Sequence, residues 1–196
     1  MDALIWTLIG FALGSIPFSV LLGRALLGKD IRQYGDGNPG GTNVARASGN
    51  KLLGALAIIL DMLKGAAPVA LAHYVVGVAG WPLVPVMLAP ILGHAYSPFL
   101  RFHGGKAIAV TFGVWTALTV PFGPFVMALG LLFLNKRIAG PGWAVMAAMV
   151  VLLAFLGVIG LVTPPMLASW AGTCIILALK HRTDLVHAPR ARMAGG

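Results

Sequence analysis

The sequence predicts an all-α integral membrane protein, a single seven-helix transmembrane bundle in which two helices are short. Three observations carry this expectation. Of 196 residues, 59% are hydrophobic and 10% charged, whereas a soluble domain carries about 25% charged residues. The apolar residues fall in runs near the ~20 residues that a spanning helix needs. Lys and Arg gather in the connections between runs, as a positive-inside bias requires. Glu is absent, the acids are Asp2, Asp30, Asp36, Asp61 and Asp184, and the formal net charge is +9. That charge does not point to nucleic acid, because the cations sit between apolar runs rather than on a soluble surface. Cys174 is alone inside an apolar run, so neither a disulfide framework nor a thiolate metal site is expected.

The first run, Leu4 to Leu27, lacks a basic leader and carries Arg24 at its far end. It reads as a retained span rather than a cleaved signal. Leu52 to Val76, Trp81 to Leu100 and Trp143 to Val162 follow the same pattern, and Pro165 to Leu179 is a shorter candidate. Ala107 to Leu134 is interrupted by Pro121-Phe-Gly-Pro124, and proline kinks or ends a helix. Charge chooses between one kinked helix and two short ones. Twelve of the fourteen Lys and Arg lie in four clusters: Lys29, Arg32, Arg46 and Lys51; Arg101 and Lys106; Lys136 and Arg137; Lys180, Arg182, Arg190 and Arg192. A hairpin of two short helices puts all four on one side and leaves the connections near Gly77, Pro121 and Thr163 without a cation; a single helix splits them.

The hairpin gives seven helices, with the N-terminus outside and a basic cytoplasmic tail from about residue 180 to 196. Each short helix reaches ~21 Å against a hydrocarbon core of ~30 Å, so it tilts, thins the bilayer or sits partly inside the bundle. Arg24 snorkels from the end of its span. Lys64 lies deep in the second span, three residues after Asp61 and on the same face. Ionisable groups at that depth pair inside the bundle. Two readings stay open for them: an ion pair that ties helices together, and a direct place in a site. The chain reads as one domain, 1–196, without linker or repeat.

Two loops are richer than connectors need. Tyr34-Gly-Asp-Gly-Asn-Pro-Gly-Gly-Thr-Asn-Val-Ala-Arg46 carries Gly35, Gly37, Gly40 and Gly41 within seven residues, a backbone able to turn tightly against a ligand. Thr42 or Asn43 is expected to cap the helix that begins there, whose N-terminal N–H groups suit an anion. Arg46, near its first turn, adds a bidentate phosphate contact. Gly93-His-Ala-Tyr-Ser-Pro-Phe-Leu-Arg-Phe-His-Gly-Gly-Lys106 repeats the recipe, with Gly104, Gly105 and Lys106 expected to open the fourth helix. It lacks the spacing of a Walker motif, and Ala107 stands where the hydroxyl residue belongs. Either loop alone is also what a flexible turn facing lipid headgroups looks like; two on one face favour a phosphorylated ligand. Lys180-His-Arg-Thr-Asp184 leaves the last helix on that face. A basic tail there is ordinary topology, but His181 acts near neutral pH or orients a hydroxyl. His73 and His187 belong to no constellation, and His94 and His103 lack metal-ligand spacing, so no metal or other cofactor is expected.

With these residues in view, the chain resembles the bacterial membrane acyltransferases that move a fatty acyl group from acyl phosphate to glycerol 3-phosphate. The similarity runs from about Gly14 to Asp184. It includes Gly14-Ser-Ile-Pro-Phe18, the run Gly37 to Arg46, Asp61-Met-Leu-Lys-Gly65, Gly93-His94 through Gly104-Gly-Lys106, and His181-Arg182. The resemblance implies lysophosphatidic acid synthesis at the cytoplasmic face of the bacterial inner membrane, with acyl phosphate, glycerol 3-phosphate and membrane lipid as partners and a monomer as working unit. It implies that Arg46 and Lys106 hold phosphates and that the Gly104-Gly105 turn binds the acyl phosphate. Asn38, Thr42 and Asn43 would line the same pocket with Gly37 and Gly40, His181 would contact the glycerol part, and Lys64, His94 and Asp184 would complete the substrate site.

An acyl phosphate is already activated, so orientation and charge stabilisation suffice without an enzyme nucleophile. Asp36 stands where the family more often has Ser, and Thr183 and Asp184 where Glu and Asn are usual. Asp36 would orient the cations or act as a base for the glycerol hydroxyl. These departures leave a variant acceptor as an alternative. Broken helices and intramembrane charges also fit a transporter of a phosphorylated solute, though the ordered groups lie near one interface and no duplicated halves are visible. A structural membrane subunit, the third reading, would tolerate Lys106→Ala.

Overall fold

The computed structural model describes residues 1–119, 122–188 and 190–191. Pro121 of the expected break and Arg192 of the basic tail lie outside the described residues. The expected apolar runs are helical, in the order α1 (Asp2–Ser15), α2 (Phe18–Leu27), α3 (Gly41–Ser48), α4 (Lys51–Ala70), α5 (Leu83–Ala95), α6 (Ile108–Thr119), α7 (Phe122–Arg137), α8 (Pro141–Val158), α9 (Pro164–Lys180) and the single turn α10 (Arg182–Leu185). One two-residue antiparallel pairing, Ile138–Ala139 with Arg190–Ala191, is the exception among the described residues. Four segments are long and apolar enough to cross a membrane: Asp2–Leu27, Lys51–Val75, Leu83–Leu100 and Pro141–Val158.

The first of these is not one straight helix. Pro17 has no N–H to donate, so α1 ends at Ser15 and α2 restarts at Phe18. The carbonyls released at the break must find donors away from water. Ser97 donates its hydroxyl to the Ser15 carbonyl at 2.6 Å, and Lys64 donates to the Ile16 carbonyl at 2.7 Å. The same ammonium lies 2.7 Å from Asp61, which accepts from Ser19 of α2 at 3.0 Å. Asp61 and Lys64 thus form a buried pair that fastens α4 to the break.

The region 107–134 forms two helices, as the charge pattern predicts. Ile108 at the start of α6 and Leu131 late in α7 line the same cavity, so the chain reverses between them. Glycines let neighbours approach closely, as membrane helices favour: a Cβ at Gly65 or Gly113 would strike the backbone of the facing helix in the α4–α6 contact. The buried core gathers around Trp115, Met87, Ile91, Met149 and Leu152. Leu8, Leu63, Leu129, Val150 and Ile175 point outwards and exposed, a surface that suits lipid.

Candidate active site

Gly35 and Gly37 hold φ near +61° and +73°, a left-handed backbone that glycine adopts at little cost. These turns fold the first loop back over α3, and a Cβ on Gly35 would overlap Arg46 and Asn43. Neither Thr42 nor Asn43 caps α3; Gly40 takes the cap position, without a side-chain bond. The buried Asn43 amide turns back instead and donates to Asp36 and to the Asn38 carbonyl, each at 2.9 Å. Its own oxygen accepts from Arg46 at 3.0 Å. Arg46 lies in the last turn of α3 rather than near the first, because the helix is only eight residues long.

The second loop also departs from expectation. Gly104, Gly105 and Lys106 are extended and do not open α6, which begins at Ile108 after Ala107 turns at φ +61°. Both glycines press on His94: a Cβ on Gly104 would overlap the His94 carbonyl, and one on Gly105 its imidazole. Gly105 donates its N–H to the same carbonyl at 3.1 Å. Lys180, at the end of α9, donates to the carbonyls of Ala95 and Gly104 at 2.9 and 3.0 Å. That ammonium closes the loop onto α5.

Two contacts join the loops. The Lys106 N–H donates to the Asn38 side chain at 2.9 Å, and the Lys106 ammonium pairs with Asp36 at 3.0 Å. Burial resists the Asp36 charge, but bonds from Lys106, Asn43 and the Asn38 N–H outweigh it and hold the carboxyl below its usual value. His181 is 1% exposed, and its Nδ1 lies 3.3 Å from Asp184. Burial, opposed by Asp184, keeps this imidazole neutral to a lower pH than usual. Its Nε2 has no hydrogen-bond partner among the described residues.

These groups meet around one cavity of about 440 Å³. Asp36, Asn38, Gly40, Thr42, Arg46, His94, Lys106 and His181 form its polar side, and Ile58, Met62, Phe112 and Leu131 its apolar side. A lining that combines cations with hydrocarbon suits a ligand with a phosphate head and an apolar tail.

The family model for glycerol-3-phosphate acyltransferase matches residues 4–189. The chain belongs to this family.

Among relatives of this acyltransferase family, a glycerol-3-phosphate acyltransferase of Anaeromyxobacter sp. (strain Fw109-5) is 38% identical over 90% of this chain and 87% of its own. One from Rubrobacter xylanophilus is 48% identical over 62% of this chain and 60% of its own. The crystal structure of PlsY, an integral membrane glycerol 3-phosphate acyltransferase, in its glycerol 3-phosphate form superposes with a TM-score of 0.83 at 34% identity, covering 95% of this chain and 91% of that one. Its lysophosphatidic acid form gives 0.82 at 33% identity.

In this family member, Asn43, Gly104, Gly105 and Asp184 do not line the cavity but contact residues that do. Among the described residues, Gly37 neither lines it nor hydrogen-bonds to a lining residue. Lys64 is set apart, buried at the helix break, while Asp61 beside it reaches the wall. Sequence reasoning passed over Gly35 as a support for Arg46 and treated Lys180 as tail charge. The single hint for Lys180 was its place next to His181.

Proposed function

We propose that the protein transfers a fatty acyl group from acyl phosphate to the 1-hydroxyl of glycerol 3-phosphate, releasing lysophosphatidic acid and phosphate. The observation that carries this reading is the single cavity lined by Arg46, Lys106 and His181 together with Ile58, Met62, Phe112 and Leu131. The names of its relatives point to the same acceptor.

In this reading the hydroxyl oxygen attacks the acyl carbon, the carbon–oxygen bond to phosphate breaks, and the departing phosphate takes the hydroxyl proton. Arg46 and Lys106 hold the phosphates and stabilise the charge that develops on them. Gly104 and Gly105 lie tightly against His94 because neither carries a Cβ, which holds the loop that ends in Lys106 beside the donor head, and Asn38, Thr42 and Asn43 fix the first loop around it. His181 donates Nδ1–H to Asp184, which leaves Nε2 as an acceptor aimed at the glycerol hydroxyl. Asp36 is assigned to orienting Lys106 and Asn43: a carboxylate with three donors and a lowered pKa is a weak base.

The bundle is assigned seven spans, N-terminus outside, in the bacterial inner membrane, with the reaction at the cytoplasmic face. All of the assigned residues belong to one chain, and the monomer is taken as the working unit. Purified protein supplied with synthetic acyl phosphate and labelled glycerol 3-phosphate, with acyl-CoA as parallel donor, tests the proposal. Product from acyl phosphate alone is expected, falling at least ~100-fold in kcat/KM for Arg46→Ala and Lys106→Ala. No product with either donor would point to a different acceptor, for which the Asp36–Lys106 pair is the first place to look.

A further inference from the structure

A second cavity of about 670 Å³ opens elsewhere on the molecule and shares no lining residue with the first. Arg24, Arg32 and Arg101 stand around it, and its apolar wall includes Val20, Leu21 and Phe99. Leu21 and Phe99 are exposed on the outer surface of the bundle, so this wall is continuous with the surface that faces hydrocarbon.

The charge balance is uneven. Asp30 is 2.6 Å from Arg32 and 3.7 Å from Arg24, and it compensates about one of the three guanidinium groups. Arg101 makes no ion pair among the described residues. It is held out by two successive left-handed residues, Arg101 at φ 52° and Phe102 at φ 63°, secured where the Phe102 N–H donates to the Ser97 carbonyl at 2.8 Å. A non-glycine pair in that conformation is uncommon. Guanidinium groups bind phosphate oxygens in a planar, bidentate way. Free phosphate would use the cations and leave the apolar wall unoccupied, whereas a phospholipid uses both. Basic pockets beside spanning helices are suited to anionic lipid headgroups.

We propose that this groove binds an anionic glycerophospholipid of the surrounding membrane, with its phosphate between Arg24, Arg32 and Arg101 and an acyl chain along Val20, Leu21 and Phe99. The placement has a consequence for the reaction cavity. Arg32 lies two residues before the glycine-rich loop that leads to Arg46, and Arg101 three residues before Gly104. A phosphate bridging them ties the bases of both loops together, so the bound lipid steadies the segments that carry Arg46 and Lys106. This second step rests on the acyltransferase reading; the binding itself does not.

The test uses the full chain in phosphatidylcholine nanodiscs with increasing phosphatidylglycerol, read as thermal midpoint and as lipid retained in native mass spectrometry. Phosphatidylglycerol is expected to raise the midpoint and leave one lipid bound, and inorganic phosphate to do neither. Arg24→Gln with Arg101→Gln should weaken retention at least ten-fold, while Lys106→Ala keeps it. Should the double variant fail to fold, Arg101→Gln alone, at an exposed position, gives the same reading. Equal behaviour in the two lipids, retention unchanged in the variants, or an equal response to inorganic phosphate would overturn the proposal. Acyl transfer measured in the same nanodiscs is expected to rise with phosphatidylglycerol in the wild type and not in the double variant. Retained lipid without any acyl transfer would sink the enzymatic reading and spare the groove.

Discussion

Among the described residues, two aspartate–lysine pairs are of nearly equal length and opposite character. Asp36 and Lys106 meet at 3.0 Å with 46% and 29% of their side chains exposed. Asp61 and Lys64 meet at 2.7 Å with 3% and 2% exposed. The first joins two glycine-rich loops at a cavity, where water reaches both partners. The second is sealed among helices and also supplies a second donor to the Ile16 carbonyl, which already accepts from the Phe18 N–H. A half-exposed pair adds little to stability and leaves its cation available to a ligand. A buried pair is costly to break, because the surviving charge has no solvent. Burial, rather than the chemical pairing, separates a binding element from a fastening.

Breaking the buried pair should have the largest effect. Lys64→Met strands the Asp61 charge and takes one of two donors from the Ile16 carbonyl; it is expected to cost ~3–5 kcal/mol, seen as a large fall in the thermal midpoint of detergent-solubilised protein. Adding Asp61→Asn should recover part of the loss. A Lys64→Met protein with a normal midpoint and no acyl transfer would move the pair into the site.

The glycine turn gives an intermediate effect that separates side-chain from backbone crowding. Gly105→Ala forces a methyl onto the His94 ring, and overpacking of this kind costs ~1–3 kcal/mol. Removing the ring with His94→Ala should restore the midpoint of Gly105→Ala but not of Gly104→Ala, whose methyl meets the His94 carbonyl. A double-mutant cycle in thermal stability reads the difference. Equal rescue of both glycine variants would show that the loop shifts as a whole.

Asp36→Asn should have the smallest effect, a change of about two- to five-fold in kcat/KM, in keeping with the ~0.2–1 kcal/mol of an exposed pair. The sign of its pH dependence follows from the lowered folded-state pKa. The pair's contribution is complete above the ordinary carboxylate value of ~4 and fades as pH falls through the lower folded value. Wild type and Asp36→Asn should therefore show parallel pH profiles of activity at neutral pH, with a small difference in thermal midpoint there that vanishes in acid. A loss of activity at pH 7 as deep as that of Lys106→Ala would make Asp36 a base after all.

Much of the fold was legible because hydropathy and charge are local signals. The division of 107–134 into two helices followed from Lys136, Arg137 and the tail cations, which a single helix would have split across the membrane. The two glycine-rich loops were recognisable as partners because each pairs tight-turning glycines with a cation. The finer assignments failed where a side chain chose a distant partner over a local one. The sequence offers Thr42 or Asn43 as a cap, but Gly40 takes that position and Asn43 turns back to Asp36 and Asn38. Gly104 to Lys106 were read as a helix start, but Ala107 interposes a left-handed turn. Lys180 was read as a topological charge, although it bonds the Gly104 carbonyl 76 residues away in sequence.

By itself, then, the sequence determined an apolar helical protein with its cations between the spans, and it named Arg46, Lys106 and His181 as the groups to watch. Those properties depend on composition and on spacing along the chain, which no packing can alter. Tertiary structure alone decided that Asp36 meets Lys106 at the cavity and that Lys64 also reaches the Ile16 carbonyl. It also decided that Asn38 reaches the Lys106 backbone across 68 residues, and that Arg24, Arg32 and Arg101 share one groove. Burial and partner choice depend on atoms brought together from separate helices, and the order of residues along the chain does not record those distances.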